Sequence, residues 1–127
     1  MTNVDLERAH ESLKAAQLCL QEGLVNPAAS RAYYAMFQAA QIALEAVSIL
    51  PEREWSHQRL QGVFVSELIH RCKIYPSVFR DYLSSGLIIR QSADYGQASV
   101  SRKIAQRLVH RAALFVTAVE EKTHYGS

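Results

Sequence analysis

The stretch AASRAYYAMFQAAQIALEAVSI, residues 28–49, decides the fold because it is apolar around most of the helix that its alanine-rich composition favours. At about 100° per residue, five of its polar side chains fall within a sector of roughly 80°: Arg31, Tyr34, Gln38, Gln41 and Glu45. Such a helix needs neighbours on more than one side, so we expect it to be the central element of a bundle or also an oligomer seam. These five residues, the polar stripe, are the first candidates for a functional surface.

The segments on either side of this stretch are also helical in pattern. Apolar residues recur at three-to-four spacing over residues 4–23, and Gly23 is a helix stop signal. Asn26 followed by Pro27 predicts an N-cap and the first position of the central helix. We expect that helix to end near Pro51.

The second half of the chain predicts three more helices. Ser56 caps a third helix that runs to about Cys72, and Pro76 opens a fourth that ends at Asp94–Gly96. Ser99 or Ser101 caps a last helix of about 22 residues. With five helical segments and no credible strand, we expect an all-α fold: an up-and-down antiparallel bundle of four to five helices in a single domain, residues 1–127.

The totals exclude several classes of protein. A hydrophobic fraction of 49% and a charged fraction of 20% are those of a globular chain rather than a disordered one. The longest apolar run is bracketed by Arg31 and Glu45, so no membrane span is expected. The N-terminus has neither a basic head nor an apolar signal core, and we therefore expect a cytoplasmic protein.

The charge is unevenly distributed along the chain. Residues 71–111 hold eight basic and two acidic residues, a net charge of +6, whereas the remaining residues hold six basic and ten acidic ones. One side or end of the molecule should therefore be electropositive, which favours an anionic partner such as a nucleotide or RNA. Ordinary solvated helices also carry such charges, and both interpretations stay open.

Metal and cofactor chemistry find no support in the sequence. The five histidines are scattered without the spacing of a ligand motif, and the five glycines form no phosphate-binding loop. We therefore expect neither a metal site nor a cofactor.

A polar set on adjoining helices remains as the candidate site. Arg90 and Asp94 stand one turn apart on the fourth predicted helix, with Tyr95 beside them, and Arg31 and Tyr34 lie on the polar stripe. A simpler interpretation is an Arg–Asp helix pair worth a few tenths of a kcal/mol and tyrosines that pack in the core.

Two further basic side chains extend this set. His57 falls in the first turn of the third predicted helix. Arg102 begins the last one, where positive charge opposes the helix dipole. A bound anion would relieve that opposition, while screened surface charge is the alternative.

Three quoted segments resemble the HEPN domain, in particular its small stand-alone bacterial and archaeal branch. They are SRAYYAMFQAA at 30–40, Ser-His at 56–57 followed by Gly62 and Phe64, and RQSADY at 90–95. The resemblance covers essentially the whole chain. It implies a dimerising helical bundle, a minimal nucleotidyltransferase as partner protein, and toxin–antitoxin biology.

The resemblance also implies roles for individual residues. Active HEPN ribonucleases pair an Arg with a His that follows after four to six intervening residues, across a dimer and without metal. Arg90 matches that arginine, but the window holds Tyr95, Gly96 and Gln97. Arg90 and Tyr95 are therefore the candidate catalytic residues, and Tyr95 is the candidate acceptor of nucleotides from the partner. Candidate nucleotide- or RNA-binding residues are Arg31, Tyr34, His57, Asp94 and Arg102.

Three functions follow from these observations. The first is a dimeric HEPN module that binds nucleotide or RNA phosphate and pairs with a nucleotidyltransferase. The second is a metal-independent endoribonuclease toxin that uses another base in place of the missing histidine. The third is a purely structural interaction protein.

Overall fold

A computed structural model describes residues 2–124, and the side chains of residues 6–123 within them. This part of the chain contains five α-helices: α1 (Thr2–Gln21), α2 (Val25–Ala46), α3 (His57–Val63), α4 (Val78–Tyr95) and α5 (Arg102–His124). A π-helical segment, Phe64–Arg71, continues α3 without a break.

Four of these helices, α1, α2, α4 and α5, run up and down in turn, while α3 and its π-helical extension connect α2 to α4. Pairs of contacts show the directions: Ser30 and Tyr34 of α2 bond Asp94 and Arg90 of α4 in reverse order. Phe79 and Ser85 of α4 likewise contact Phe115 and Arg111 of α5 in reverse order. Helix α2 packs against α1, α4 and α5. The predicted all-α antiparallel bundle, with residues 28–49 contributing its central helix, is confirmed.

Burial of α2 explains its composition. Twelve of its residues are buried, most of them alanines that let neighbouring helices approach closely. Arg31 is exposed and the other four residues of the polar stripe are partly exposed, so the stripe is the side of α2 left uncovered.

The start of α2 differs from the prediction. The helix begins at Val25, and the Asn26 side chain does not cap it. Instead, Asn26 Oδ1 accepts a hydrogen bond from the Val100 backbone N–H at 2.9 Å, and Nδ2 donates to Ser99 Oγ at 3.4 Å. Asn26 therefore ties the start of α2 to the loop between α4 and α5.

The end of α2 also comes earlier than Pro51. Ser48 takes a left-handed conformation with φ of 64°, and the Ile49 N–H bonds the Leu44 carbonyl oxygen. This pattern satisfies the last carbonyls of a helix and ends α2 at Ala46. No glycine marks the turn, so the sequence carried no stop signal there.

Replacing Asn26 with alanine is expected to lower the free energy of unfolding by about 1–2 kcal/mol, because the N–H of the buried Val100 would lose its acceptor. Urea unfolding followed by circular dichroism measures the change. Asn26→Asp keeps an acceptor oxygen and should recover most of the loss. An alanine variant as stable as the parent would contradict this role.

Two of the predicted helix caps are confirmed. Ser56 Oγ accepts a hydrogen bond from the Arg59 N–H, and Ser101 Oγ accepts one from the Ile104 N–H, each at 3.1 Å. The α4 helix ends at Tyr95, as its following glycine predicted.

An aromatic cluster fills the core between α4, α5 and the π-helical segment. The Phe115 ring lies 4.6 Å from that of Phe79 and 5.4 Å from that of Phe64, and the Tyr75 ring also packs against Phe64.

None of the helices within residues 2–124 has the length and apolarity to cross a membrane.

Candidate functional site

The candidate site centres on Arg90, which projects from the last turns of α4 towards α2. Its side chain is only 13% exposed. Nη2 donates a hydrogen bond to the Tyr34 hydroxyl at 2.8 Å, and the guanidinium carbon lies 5.1 Å from the Tyr34 ring centre and 5.8 Å from that of Tyr95. The two rings and the hydroxyl hold the guanidinium in one orientation.

Asp94, one turn further along α4, lies against Nε of the guanidinium. Its Oδ2 lies 3.0 Å from Arg90 Nε, but the N–H direction falls short of a hydrogen bond, and the buried Nε–H has no hydrogen-bond acceptor. The contact is an ion pair, because the two atoms are close enough for charge attraction but the Nε–H does not point at Oδ2 as a hydrogen bond requires. Ser30 Oγ, on α2, donates to the same Oδ2 at 3.3 Å.

The third nitrogen of Arg90 is open. Among residues 2–124, no group accepts a hydrogen bond from Nη1, and Nη1 is not among the buried atoms without a partner. Nη1 is therefore not fully buried and stays free to bind a ligand, on a guanidinium whose orientation is otherwise fixed, which is the arrangement that an anion-binding arginine needs.

His57 bonds a buried tyrosine, Tyr33, whose ring lies 6.0 Å from that of Tyr34, the residue that Arg90 contacts. Its Nδ1 and the Tyr33 hydroxyl oxygen are 2.8 Å apart, and its ring packs 4.7 Å from that of Phe37. Like Arg90 Nη1, His57 Nε2 has no partner within residues 2–124 and is not buried. The imidazole thus presents one nitrogen to Tyr33 and the other to solvent.

Burial and charge determine the protonation of this pair. Burial, with a smaller contribution from the positive charge of Arg90, lowers the pKa of His57 below its usual 6.5. Burial raises the pKa of Tyr33 to about 12, although the Gln61 amide and Arg90 oppose that rise. At neutral pH both side chains are therefore uncharged.

The depressed pKa of His57 makes the stability of the fold depend on pH. Below pH 6.5 the unfolded chain binds a proton at this residue more readily than the folded one, so the free energy of unfolding should fall as the pH drops from 6.5 through the folded-state pKa. Denaturant unfolding at several pH values measures this fall.

A matched pair of variants separates His57 from other groups in that pH experiment. His57→Gln should flatten the dependence below pH 6.5, whereas replacing the exposed His70 by glutamine should leave it unchanged. Equal slopes for both variants would contradict the assignment to His57.

Comparison of the sequence with known proteins assigns the chain to a family. The family model of the HEPN domain matches residues 4–122. The chain belongs to the HEPN domain family. It is 30% identical over 113 residues to the UPF0332 protein glr0978 of Gloeobacter violaceus, which covers 87% of this chain and 86% of that protein.

Two relatives from Methanocaldococcus jannaschii are described as candidate toxins. The first, MJ0605, is 24% identical over 116 residues, covering 91% of this chain and 84% of its own. The second, MJ0142, is 27% identical over 112 residues, covering 87% and 74%.

Within this HEPN domain, the structure brings together four of the predicted site residues and leaves others apart. Tyr34, His57, Arg90 and Asp94 lie in one cluster, and the Tyr95 ring adjoins Arg90 although the residue is 76% exposed. Arg31 and Arg102 are exposed, and no hydrogen bond or ion pair joins either to another residue of the described range.

The polar stripe divides between two places. Tyr34 turns towards Arg90, whereas Gln38, Gln41 and Glu45 line a separate cleft of about 200 Å³ with Arg8 of α1. The stripe is therefore not a single wall of the site.

The positions that follow Arg90 after four to six intervening residues begin at Tyr95, and the first two of them have different surroundings. A Cβ atom at Gly96 would lie 2.5 Å from the Ser92 carbonyl oxygen, which accepts the Gly96 N–H at the end of α4. Position 96 therefore does not accept a side chain in this backbone, and a histidine is excluded there for steric reasons. The Tyr95 side chain, by contrast, is 76% exposed.

Sequence reasoning missed Tyr33 and Ser30 as members of the cluster. Tyr33 was grouped with the apolar residues of α2, and its ring is fully buried. The available signal was chemical, since a buried tyrosine hydroxyl needs a hydrogen-bond partner.

Within the described residues, no group of three or more His, Cys, Asp or Glu side chains is placed to hold a metal ion.

Proposed function

We propose that this HEPN domain is a toxin-like, cytoplasmic module that forms a homodimer, pairs with a minimal nucleotidyltransferase and binds a nucleotide or RNA phosphate at Arg90. Residues 1–127 act as a single domain in this proposal. The two candidate toxins among its relatives support the toxin-like assignment.

The observation that carries the proposal is the fixed and mostly buried Arg90 guanidinium with its open Nη1. Tyr34 and Asp94 occupy the other two nitrogens, so a ligand would meet a side chain whose conformation is already set. A guanidinium is suited to phosphate because it is permanently charged and weakly hydrated. The carboxylate of Asp94 partly neutralises the guanidinium charge. A phosphate ligand would therefore also need uncharged hydrogen-bond donors near Arg90.

Exposed apolar residues on α4 and α5 support the homodimer. Ile88 and Tyr95 are 65% and 76% exposed and lie seven residues apart, on one side of α4, and Ile104 of α5 is 41% exposed. Large apolar side chains in that position are typical of an interface. A dimer through this surface would bring two Arg90 sites close to each other.

Titration of the purified protein with a fluorescently labelled single-stranded RNA, and with ATP, tests phosphate binding. We expect a saturable rise in anisotropy that weakens with added salt, since phosphate contacts release counterions. Absence of binding to both ligands at low salt would refute the phosphate site. Sedimentation velocity tests the homodimer independently.

Co-expression with a minimal nucleotidyltransferase tests the partner. We expect the two proteins to copurify, and intact-mass analysis to show added nucleotide mass when Tyr95 is the acceptor. Tyr95→Phe should remove that mass without disturbing the fold, because the Tyr95 side chain is exposed. No complex and no added mass would remove the partner from the proposal.

A second function, a metal-independent endoribonuclease, is favoured by one observation. His57 supplies an imidazole close enough to Arg90 for the guanidinium to lower its pKa, on the same chain. Incubation with RNA in EDTA should then yield cleavage that Arg90→Ala abolishes. If neither cleavage nor ligand binding is found, the purely structural function remains.

A further inference from the structure

The surroundings of the Tyr33 hydroxyl determine which nitrogen of His57 carries the proton. Tyr33 is fully buried, and its hydroxyl lies 2.8 Å from Nδ1 of His57. Gln61 on α3 donates its amide N–H to the Leu83 carbonyl oxygen of α4 at 3.3 Å, and its side chain acts against the rise that burial causes in the pKa of Tyr33.

The direction of the hydrogen bond between Tyr33 and His57 follows from the burial of Tyr33. A buried hydroxyl needs an acceptor for its proton, and Nδ1 of His57 is the one hydrogen-bond partner of the Tyr33 hydroxyl among the described residues. Tyr33 therefore directs its O–H to Nδ1 of His57. A neutral imidazole that accepts at Nδ1 carries its proton on Nε2.

We propose that His57 is a neutral hydrogen-bond donor which binds a phosphoryl oxygen through Nε2–H beside Nη1 of Arg90, with Tyr33 as the positioning residue. This inference rests on the proposed phosphate site and assigns its second donor. The ligand class is a phosphate ester, and the phosphate at the end or in the backbone of a nucleic acid strand shares that chemistry.

The neutral state of the donor is consistent with its surroundings. Among the described residues, Tyr33 on α2 bonds the imidazole, Arg90 on α4 is the charged group that lowers its pKa, and the Phe37 ring packs 4.7 Å from it. A positively charged His57 would be repelled by the Arg90 guanidinium. Its Nδ1 would also have to donate a hydrogen bond to Tyr33 instead of accepting one. Both costs keep the imidazole uncharged.

This assignment predicts how phosphate binding depends on pH. A neutral donor contributes equally from pH 6.5 to 8, so affinity for an RNA dinucleotide should be flat over that range. The phosphodiester of such a probe keeps a constant charge there. A cationic His57 would instead lose affinity as the pH rises through the histidine pKa.

Nitrogen-15 NMR of the imidazole is the direct test, because the two nitrogens of a neutral histidine differ in chemical shift according to which one is protonated. We expect the Nε2–H form of His57 in the free protein, and a shift of Nε2 on addition of inorganic phosphate or the RNA dinucleotide. Tyr33→Phe keeps the buried ring and should convert His57 to a mixture of both forms. An Nδ1–H form in the parent protein would overturn the proposal, and so would an Nε2 resonance that neither ligand moves.

Binding assays then separate this inference from the phosphate site itself. His57→Leu should weaken dinucleotide binding about 3- to 10-fold, and His57→Gln, whose amide can still donate, should restore part of that loss. If His57→Leu binds as well as the parent while Arg90→Ala does not, the role of His57 is wrong and the phosphate site stands. If the parent binds no ligand, both fall.

Discussion

Replacing Arg90 with alanine is expected to weaken binding of a single-stranded RNA oligonucleotide about 10- to 100-fold. Hydrogen bonds to charged groups contribute about 1.5–3 kcal/mol, and each 1.4 kcal/mol corresponds to a factor of ten in affinity. The estimate applies here because Tyr34 and Asp94 already fix the guanidinium, so little of its binding energy is spent on ordering the side chain. Fluorescence anisotropy at constant salt measures the change.

Arg102→Ala is the matched control for that experiment. It removes the same charge from an exposed side chain that contacts no residue of the cluster. Loss of one exposed charge should reduce affinity by no more than about threefold at physiological salt. Equal losses in the two variants would mean that general electrostatic attraction binds the RNA, and the site at Arg90 would be refuted.

Arg90→Lys distinguishes charge from shape. Lysine keeps the positive charge but lacks the planar fork that bonds Tyr34 and leaves a second nitrogen open. We expect it to behave more like alanine than like arginine. Thermal unfolding of each variant shows whether lost binding comes from the site or from lost folding.

The helices could be predicted from the sequence because their signals are local. Ser56 and Ser101 cap α3 and α5 through hydrogen bonds to residues three positions away, and Gly23 ends α1 with a φ of 78°. Each signal depends on geometry within one turn, which the order of residues carries directly.

The errors occurred where a distant part of the chain determines local structure. Asn26 has the properties of an N-cap, but its amide is bound by Ser99 and Val100, more than 70 residues away in the sequence. Phe64, where the π-helical segment begins, packs against Tyr75 and against Phe115 of α5. Neither partner is visible in a local pattern.

The site was predictable only in part for the same reason. Arg90 and Asp94 are one turn apart, and the resemblance connected them with Tyr34 and His57, which the structure places beside them. The sequence did not indicate Tyr33 because consecutive side chains on a helix are rotated by about 100°. Tyr33, next to Tyr34, therefore points out of the polar stripe and into the core. Its role depends on His57, which approaches it from α3.

Replacing Phe115 with alanine is expected to lower the free energy of unfolding by about 3–5 kcal/mol. Its ring is fully buried between Phe79 of α4 and Phe64 of the π-helical segment. Because these rings belong to three different elements, the cavity cannot close without moving a helix, and the upper half of the range is more appropriate. A domain of this size is stable by about 5–15 kcal/mol, so the change consumes a large fraction of the total.

Leu114→Ala is the control from the adjacent position of α5. Leu114 is 44% exposed, and we expect its removal to cost about 1 kcal/mol or less. Urea unfolding should be measured at one protein concentration, since the stability of a dimer depends on concentration. Similar losses at both positions would contradict the packing described for Phe115.

The Phe115 and Arg90 variants together separate stability from binding. Phe79, which contacts Phe115, precedes Arg90 by eleven residues on α4, a distance of about 16 Å along the helix. The folded fraction of Phe115→Ala should therefore bind RNA with nearly the affinity of the parent, while Arg90→Ala should fold well and bind poorly. If Phe115→Ala also loses affinity when folded, the guanidinium is held in place by the packing of the whole α4 helix rather than by Tyr34 and Asp94.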